Sequence, residues 1–183
     1  MKSLLSHSLV TRLVILLLAV APVLSACNTE TDAVRDARKH EEEYKKIDDA
    51  LIQDYFTRHG ITSSNYQRTE EGIYLVNVKE GTGNLIVAGN TVQVKYIGKY
   101  IKKEYEDVVF DKSYGNRSLC ECTEVVVGSN RVIQGWEKAL LRMKLGDEKR
   151  IFIPSYLAYG QYGKAPIPGD EPLQFDMLIS KVQ

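Results

Sequence analysis

The sequence predicts an α+β fold, an antiparallel β-sheet with one short helix packed on it, preceded by an amphipathic N-terminal helix. Three observations carry this. From Gly72 onward the apolar residues recur with period two, as in half-buried strands. Turn residues punctuate these runs at Glu80-Gly81-Thr82-Gly83, Ala88-Gly89-Asn90, Gly146-Asp147 and the Gly- and Pro-rich stretch from Gly160 to Pro172. A single helical pattern, Trp136 to Met143, fits inside the domain, with Ala139, Leu140 and Met143 on one face. The 183 residues carry 24 Lys plus Arg against 24 Asp plus Glu, so no field favours nucleic acid as a partner. The 44% hydrophobic and 26% charged content excludes a wholly disordered chain.

In chain order, Lys2 and Arg12 precede an apolar run from Leu13 to Leu24 that ends in Ser25, Ala26 and Cys27. A helix crossing a bilayer needs roughly 20 apolar residues, so this shorter run with small residues behind it reads as an export signal over residues 1–26. Leu24-Ser25-Ala26-Cys27 resembles the lipobox of bacterial lipoproteins, which implies lipidation of Cys27 and a membrane held through that anchor; the alternative is an ordinary secretory signal with a chance cysteine. Cleavage removes Lys2 and Arg12 and no acids, leaving 22 basic and 24 acidic residues. By resemblance to envelope sorting signals, Asn28 leans towards the outer membrane of a bacterial cell envelope, whereas Glu30 and Asp32 fit an acidic surface-export signal.

Residues 27–71 form a tether, a helix and a linker. Thr29 to Lys46 is nearly all polar and reads as a solvated tether or exposed helix. Tyr44, Ile47, Leu51, Ile52, Tyr55 and Phe56 then recur at helical spacing, with Gly60 as the stop. This stripe over residues 44–58 must be covered, by docking on the following domain or by a second copy in a homodimer. Ile61 to Glu71 reads as a linker. In the domain, 72–183, strands are expected over Ile73–Val78, Val92–Ile97 and Leu173–Ser180. Cys120 and Cys122 flank Glu121 on an expected strand, which puts both on one face as free thiols, a disulfide across one residue, or an intermolecular bridge. A thiol oxidoreductase is the weakest reading of the pair, since no Cys-x-x-Cys opens a helix.

Several motifs stand in one order: Glu80-Gly81-Thr82-Gly83; Val92-Gln93-Val94-Lys95-Tyr96-Ile97-Gly98; Phe110-Asp111-Lys112-Ser113; Val127-Gly128 and then Val132-Ile133-Gln134-Gly135-Trp136-Glu137; Ile153 to Gly160; Ile167-Pro168; and Leu173-Gln174-Phe175-Asp176. Together they resemble the FKBP-type peptidyl-prolyl isomerases from about Gly72 to Val182. The resemblance implies a strongly twisted sheet wrapped around the helix, and catalysis of cis/trans isomerisation at X-Pro bonds in unfolded or partly folded proteins. It places Trp136 on the pocket floor, with Tyr96, Phe110, Val132, Ile133, Tyr159, Ile167 and Phe175 around it. The Ile133 N–H and Tyr159 hydroxyl would hold substrate carbonyls, and Asp111 would orient the polar edge. For Phe175 and Val132 taken alone, core packing is the competing reading, and for Asp111 a turn or an ion pair with Arg117.

The amide barrier of about 18–20 kcal/mol reflects C–N double-bond character, and the planar ground state is more dipolar than the twisted transition state. A dry aromatic pocket therefore suffices, with no metal or cofactor. His7, His40 and His59 all precede the domain, in keeping with that chemistry, and no Cys/His cluster has zinc spacing. The chain departs from the family pattern at three places. Tyr100 to Val108 is long and charged and should protrude as a flap, Thr123 stands where a Phe is common, and Lys164 stands where some members carry His.

Overall fold

The computed structural model describes residues 31–115 and 118–183; the expected export signal, Cys27 and Arg117 lie outside these. The chain divides into two compact units, 1–39 and 40–183. Of the first, the described part is the start of helix α1 (Asp32–Arg58), where every side chain from 32 to 39 is exposed and Arg35 pairs with Asp32. The polar stretch is thus an exposed helix from Asp32 onward, and α1 is nearly twice as long as its apolar stripe alone required. Among the described residues no helix is long and apolar enough to cross a membrane.

In the second unit seven strands form one antiparallel sheet: β1 (Tyr66–Arg68), β2 (Tyr74–Lys79), β3 (Thr91–Tyr100), β4 (Val109–Lys112), β5 (Thr123–Val126), β6 (Glu148–Ile153) and β7 (Leu173–Val182). The order is β1-β2-β6-β7-β3-β4, with β5 also paired to β3. The ten-residue β3 therefore takes β7 along one edge, and β5 and then β4 along the other. Helix α2 (Gln134–Leu140) is shorter at its C-terminal end than the periodicity predicts, and Met143 is buried beyond it. Gly135 lets α2 approach the sheet, because a Cβ there would stand 2.3 Å from Cγ2 of Ile153.

Two cores flank the sheet. On the α2 side, Leu75, Val92, Val94, Ile151, Ile153, Leu173, Phe175, Met177 and Ile179 pack with Trp136, Ala139 and Leu140. On the other side, Ile52, Tyr55 and Phe56 of α1 pack with Tyr74, Ile101 and Phe152. The expectation of one wet sheet face is therefore corrected where α1 lies. Tyr74 and Phe152 are direct partners in the β2–β6 register and are both buried, as are their neighbours Ile73, Ile151 and Ile153. A strand covered on both faces reads as an unbroken apolar run, as Ile151-Phe152-Ile153 does at the end of β6, so that half of the strand gave no alternation to find.

Within the chain, the 44–58 stripe docks on the domain through Ile52, Tyr55 and Phe56. The stripe is also rotated: Ile47 is 38% exposed, while Asp48 is fully buried and accepts the Ser155 N–H and hydroxyl, both at 2.7 Å. The linker reading is corrected at β1, which pairs Tyr66 with Val76 and extends the sheet. The expected flap does not protrude. Ile101 is buried under α1, Tyr105 donates to Glu171 at 2.7 Å, Lys102 pairs with Glu171 at 2.8 Å, and Glu106 is held by Arg58 and His59. Charges that looked solvated in sequence find partners on two other segments.

Candidate active site

Trp136 is the third residue of α2 and is held 5% exposed on the sheet. Its ring meets Tyr96 edge-on at 4.9 Å and Phe175 at 5.3 Å, at interplanar angles of 85° and 90°. Such edge-to-face contacts set a negative ring face against a positive edge and fix all three rings. Above them opens a hollow of about 330 Å³, lined by Tyr96, Thr123, Val132, Ile133, Trp136, Tyr159 and Phe175, with Asp111, Arg131 and Lys164 also on its lining. A larger hollow of about 440 Å³ is walled mainly by charged side chains, among them Glu41, Lys45, Arg68, Glu70 and Glu71. The aromatic hollow is the one suited to an apolar ring.

Each wall residue follows from its element. Tyr96 and Phe175 come from adjacent strands, β3 and β7. Ile133 caps α2, and its carbonyl accepts the Trp136 N–H at 2.9 Å. Thr123 opens β5 opposite Val94 and brings a small hydroxyl side chain to the lining of the hollow. Tyr159 sits at the start of the 160–172 loop, with the Lys164 ammonium 5.8 Å from its ring centre.

The hydroxyl of Tyr96 donates to Asp111 at 2.7 Å, and the other Asp111 oxygen accepts the Lys112 N–H at 2.8 Å. Burial first, and then the Asp111 carboxylate, raise the Tyr96 pKa above the ordinary phenol value. Tyr159 is raised for the same two reasons in the same order. Both therefore remain neutral O–H donors at physiological pH. The indole Nε1 of Trp136 is buried and has no acceptor among the described residues, an unsatisfied donor of the sort that functional sites retain.

Two expected wall residues stand behind the hollow. Phe110 packs edge-on against Phe175 at 5.6 Å and at a tilt against Tyr100 at 5.1 Å, tucked over Gly98. Ile167 is 6% exposed in the core and bridges to Lys164, which does line the hollow. Phe175 and Val132 belong to the core packing and to the hollow together. Sequence reasoning missed Arg131 on the rim, whose only signal was its place before Val132. It also missed the work of Glu137, which is 8% exposed and accepts the N–H groups of Gly128 at 2.6 Å and Asn130 at 2.8 Å. This carboxylate braces the turn that delivers Val132 and Ile133.

Cys120 and Cys122 form a disulfide with Cα atoms 5.1 Å apart. They precede β5 instead of lying on it, since Glu121 takes φ 50° and breaks the extended run. Away from the hollow, ligand atoms of His59, Glu106 and Asp107 lie within 4.8 Å of one another. Arg58 already pairs with Glu106 there, and its positive charge opposes a cation.

The fold and this hollow define a pocket suited by shape and dryness to an apolar ring. Residues 83–179, more than half of the chain, match the family profile of the FKBP-type peptidyl-prolyl cis-trans isomerases, and the chain belongs to that family. It is 34% identical over 113 residues to FK506-binding protein 4 of Emericella nidulans, an alignment spanning 62% of this chain and 22% of that one. FK506-binding protein 2 of Debaryomyces hansenii is 39% identical over 87 residues, 48% of this chain and 59% of that one. The chain thus spans less than two thirds of these curated relatives. Among solved structures, a peptidyl-prolyl cis-trans isomerase of Pseudomonas syringae pv. tomato superposes with a TM-score of 0.60 at 25% identity, over 78% of this chain and 95% of that one. FkpA of Escherichia coli shares the fold at a TM-score of 0.60 and 22% identity, over 92% and 80% of the two chains.

Proposed function

We propose that this chain catalyses cis/trans isomerisation of X-Pro bonds in unfolded or partly folded proteins outside the cytoplasm, tethered to a membrane of a bacterial envelope by lipid on Cys27. The observation that carries the catalytic part is the near-buried Trp136 ring at the base of a hollow walled by Tyr96, Tyr159 and Phe175. A prolyl ring seated there leaves water, and its amide loses the solvent that favours the planar, dipolar form. The Ile133 N–H and the Tyr159 hydroxyl hold the flanking carbonyls, and the Tyr96–Asp111 pair keeps the polar edge in place. No proton is transferred and no covalent bond to the protein forms. The alternative is a non-catalytic chaperone or scaffold module of an envelope assembly, motivated by Thr123, the long charged flap and the apolar stripe of α1; against it, the 101–108 segment folds back onto Glu171 and the stripe packs on the domain.

The test is a protease-coupled assay on proline peptides with the full-length chain. Trp136→Leu should lower kcat/KM about tenfold or more, equivalent to at least ~1.4 kcal/mol of barrier, and Tyr159→Phe by a smaller factor. Wild-type inactivity, or a double variant as active as wild type, rejects the catalytic reading. For the anchor, wild-type chain should take up labelled fatty acid and partition with membranes, and Cys27→Ser should do neither.

A further inference from the structure

The Cys120–Cys122 disulfide has no part in isomerisation, yet its place and backbone are informative. It joins residues two apart, and so short a loop gains least from the unfolded-chain entropy that makes disulfides stabilising. The ring closes with Glu121 at φ 50°, a sparsely populated conformation for a residue with a Cβ. Opening the ring lets Glu121 leave it. Disulfides that carry strain and can be reached are the ones that act as oxidants, whereas relaxed buried ones resist reduction.

This one can be reached. Cys120 is half-buried while Cys122 is 6% exposed, so an incoming thiol meets Cys120 first. Beside it the Leu119 side chain is fully exposed, an apolar group presented to solvent. The disulfide directly precedes Thr123, the first residue of β5, which lines the aromatic hollow. Ser118 ties the ring independently of the sulfurs: its hydroxyl accepts the Cys122 N–H and donates to the Cys122 carbonyl, both at 3.3 Å, and lies 3.7 Å from Cys120 Sγ. The two cysteines therefore stay close when the bond is open.

We propose that Cys120–Cys122 is a thiol–disulfide exchange site, and that its substrate is a pair of cysteine thiols in an unfolded polypeptide. A client thiolate attacks Cys120 Sγ. The Cys120–Cys122 bond breaks, and Cys122 leaves with the electron pair and takes a proton from water. The second client thiolate then attacks the client sulfur of the mixed disulfide, and Cys120 leaves in turn and is protonated. The client gains one disulfide, and two electrons and two protons pass to the protein. Leu119 supplies apolar contact to the client chain. This chemistry does not depend on the isomerase reading, and a proline-free probe keeps the two separable.

The experiment mixes the oxidised full-length chain with a reduced, unstructured, proline-free peptide carrying two cysteines. After acid quench and alkylation, mass spectrometry follows the fragment that holds Cys120 and Cys122, apart from Cys27. One equivalent of peptide disulfide should form per chain, with equal loss of Cys120–Cys122. Supplied with oxidised peptide, Cys122→Ser should trap a mixed disulfide on Cys120 at least tenfold more than Cys120→Ser traps one on Cys122. Leu119→Ser should slow exchange with the peptide several-fold and leave exchange with glutathione unchanged. A disulfide that survives a hundredfold excess of peptide while circular dichroism stays native, or that opens only in denaturant, overturns the proposal. Equal trapping by the two single variants does so as well.

Discussion

Gly98 has no side chain where Phe110 meets β3; a Cβ there would stand 2.6 Å from Phe110 Cζ and 3.1 Å from Phe175 Cε1. Gly98→Ala should displace Phe110, destabilise the fold by roughly 1–3 kcal/mol through overpacking, and shift the Phe175 wall of the hollow. Chemical denaturation measures the first effect and KM for a proline peptide the second. Glu137 acts through the turn it braces. Glu137→Ala leaves two backbone N–H groups without their acceptor, at roughly 2–4 kcal/mol, and should lower kcat/KM for proline peptides, with Glu137→Gln restoring part of both. At the rim, the Asp111 carboxylate is already engaged by Tyr96 and the Lys112 N–H, so Arg131 and Lys164 dominate what an incoming chain meets. Peptides with an acidic residue beside proline should be preferred over basic ones several-fold at low salt. Arg131→Ala with Lys164→Ala should abolish that preference, and salt should weaken it.

Helix α1 shows how an element is fastened. Phe56 meets Tyr66, Tyr74 and Phe152 at centroid distances of 5.0, 5.3 and 4.7 Å, and Tyr55 adds Phe152 and a hydrogen bond to Asp107. Phe56→Ala should cost about 3–5 kcal/mol, the range for a large core aromatic. Because this core lies on the opposite sheet face from Trp136, kcat/KM of the fraction still folded should change little. Denaturation midpoints and activity measured on one preparation separate these outcomes. The 101–108 segment is part of the same fastening, since it places Ile101, Glu106 and Asp107 against residues 55–59.

For the folded unit 40–183 the pH dependence of stability should show two carboxylates of opposite sign. Burial pushes Asp48 up from an ordinary 3.8 to about 6, against the pull of its bonds from Ser155. The folded protein then holds that proton more tightly than the unfolded chain. The contribution is fully present below pH 3.8 and is lost as pH rises through 6, an effect of roughly 2–3 kcal/mol. Glu71 is lowered from 4.5 to about 2, through its own backbone N–H, then the Thr69 hydroxyl and Lys138. Its contribution is present above pH 4.5 and fades as pH falls towards 2. Between pH 4.5 and 6 the Asp48 slope should dominate, and Asp48→Asn should remove it in urea titrations run at each pH.

The sequence alone determined the antiparallel domain, its central strands β3 and β7 and the placement of α2, because alternation and turn residues are local properties of the chain; the grouping of Tyr96, Ile133, Trp136 and Tyr159 was implied by the family resemblance that the ordered motifs carry. It could not show that α1 covers the second sheet face. Asp48 lies outside the apolar stripe read from the sequence, yet it is buried against Ser155, far along the chain. The same reason accounts for the folded-back flap, whose Lys102, Tyr105 and Glu106 are polar in sequence but find partners at Glu171 and Arg58. Whether Cys120 and Cys122 were joined was likewise undecided by their spacing and turned on the backbone at Glu121. Periodicity reports how a segment would like to be buried; only tertiary contact decides which buried charge has a partner and which face is dry.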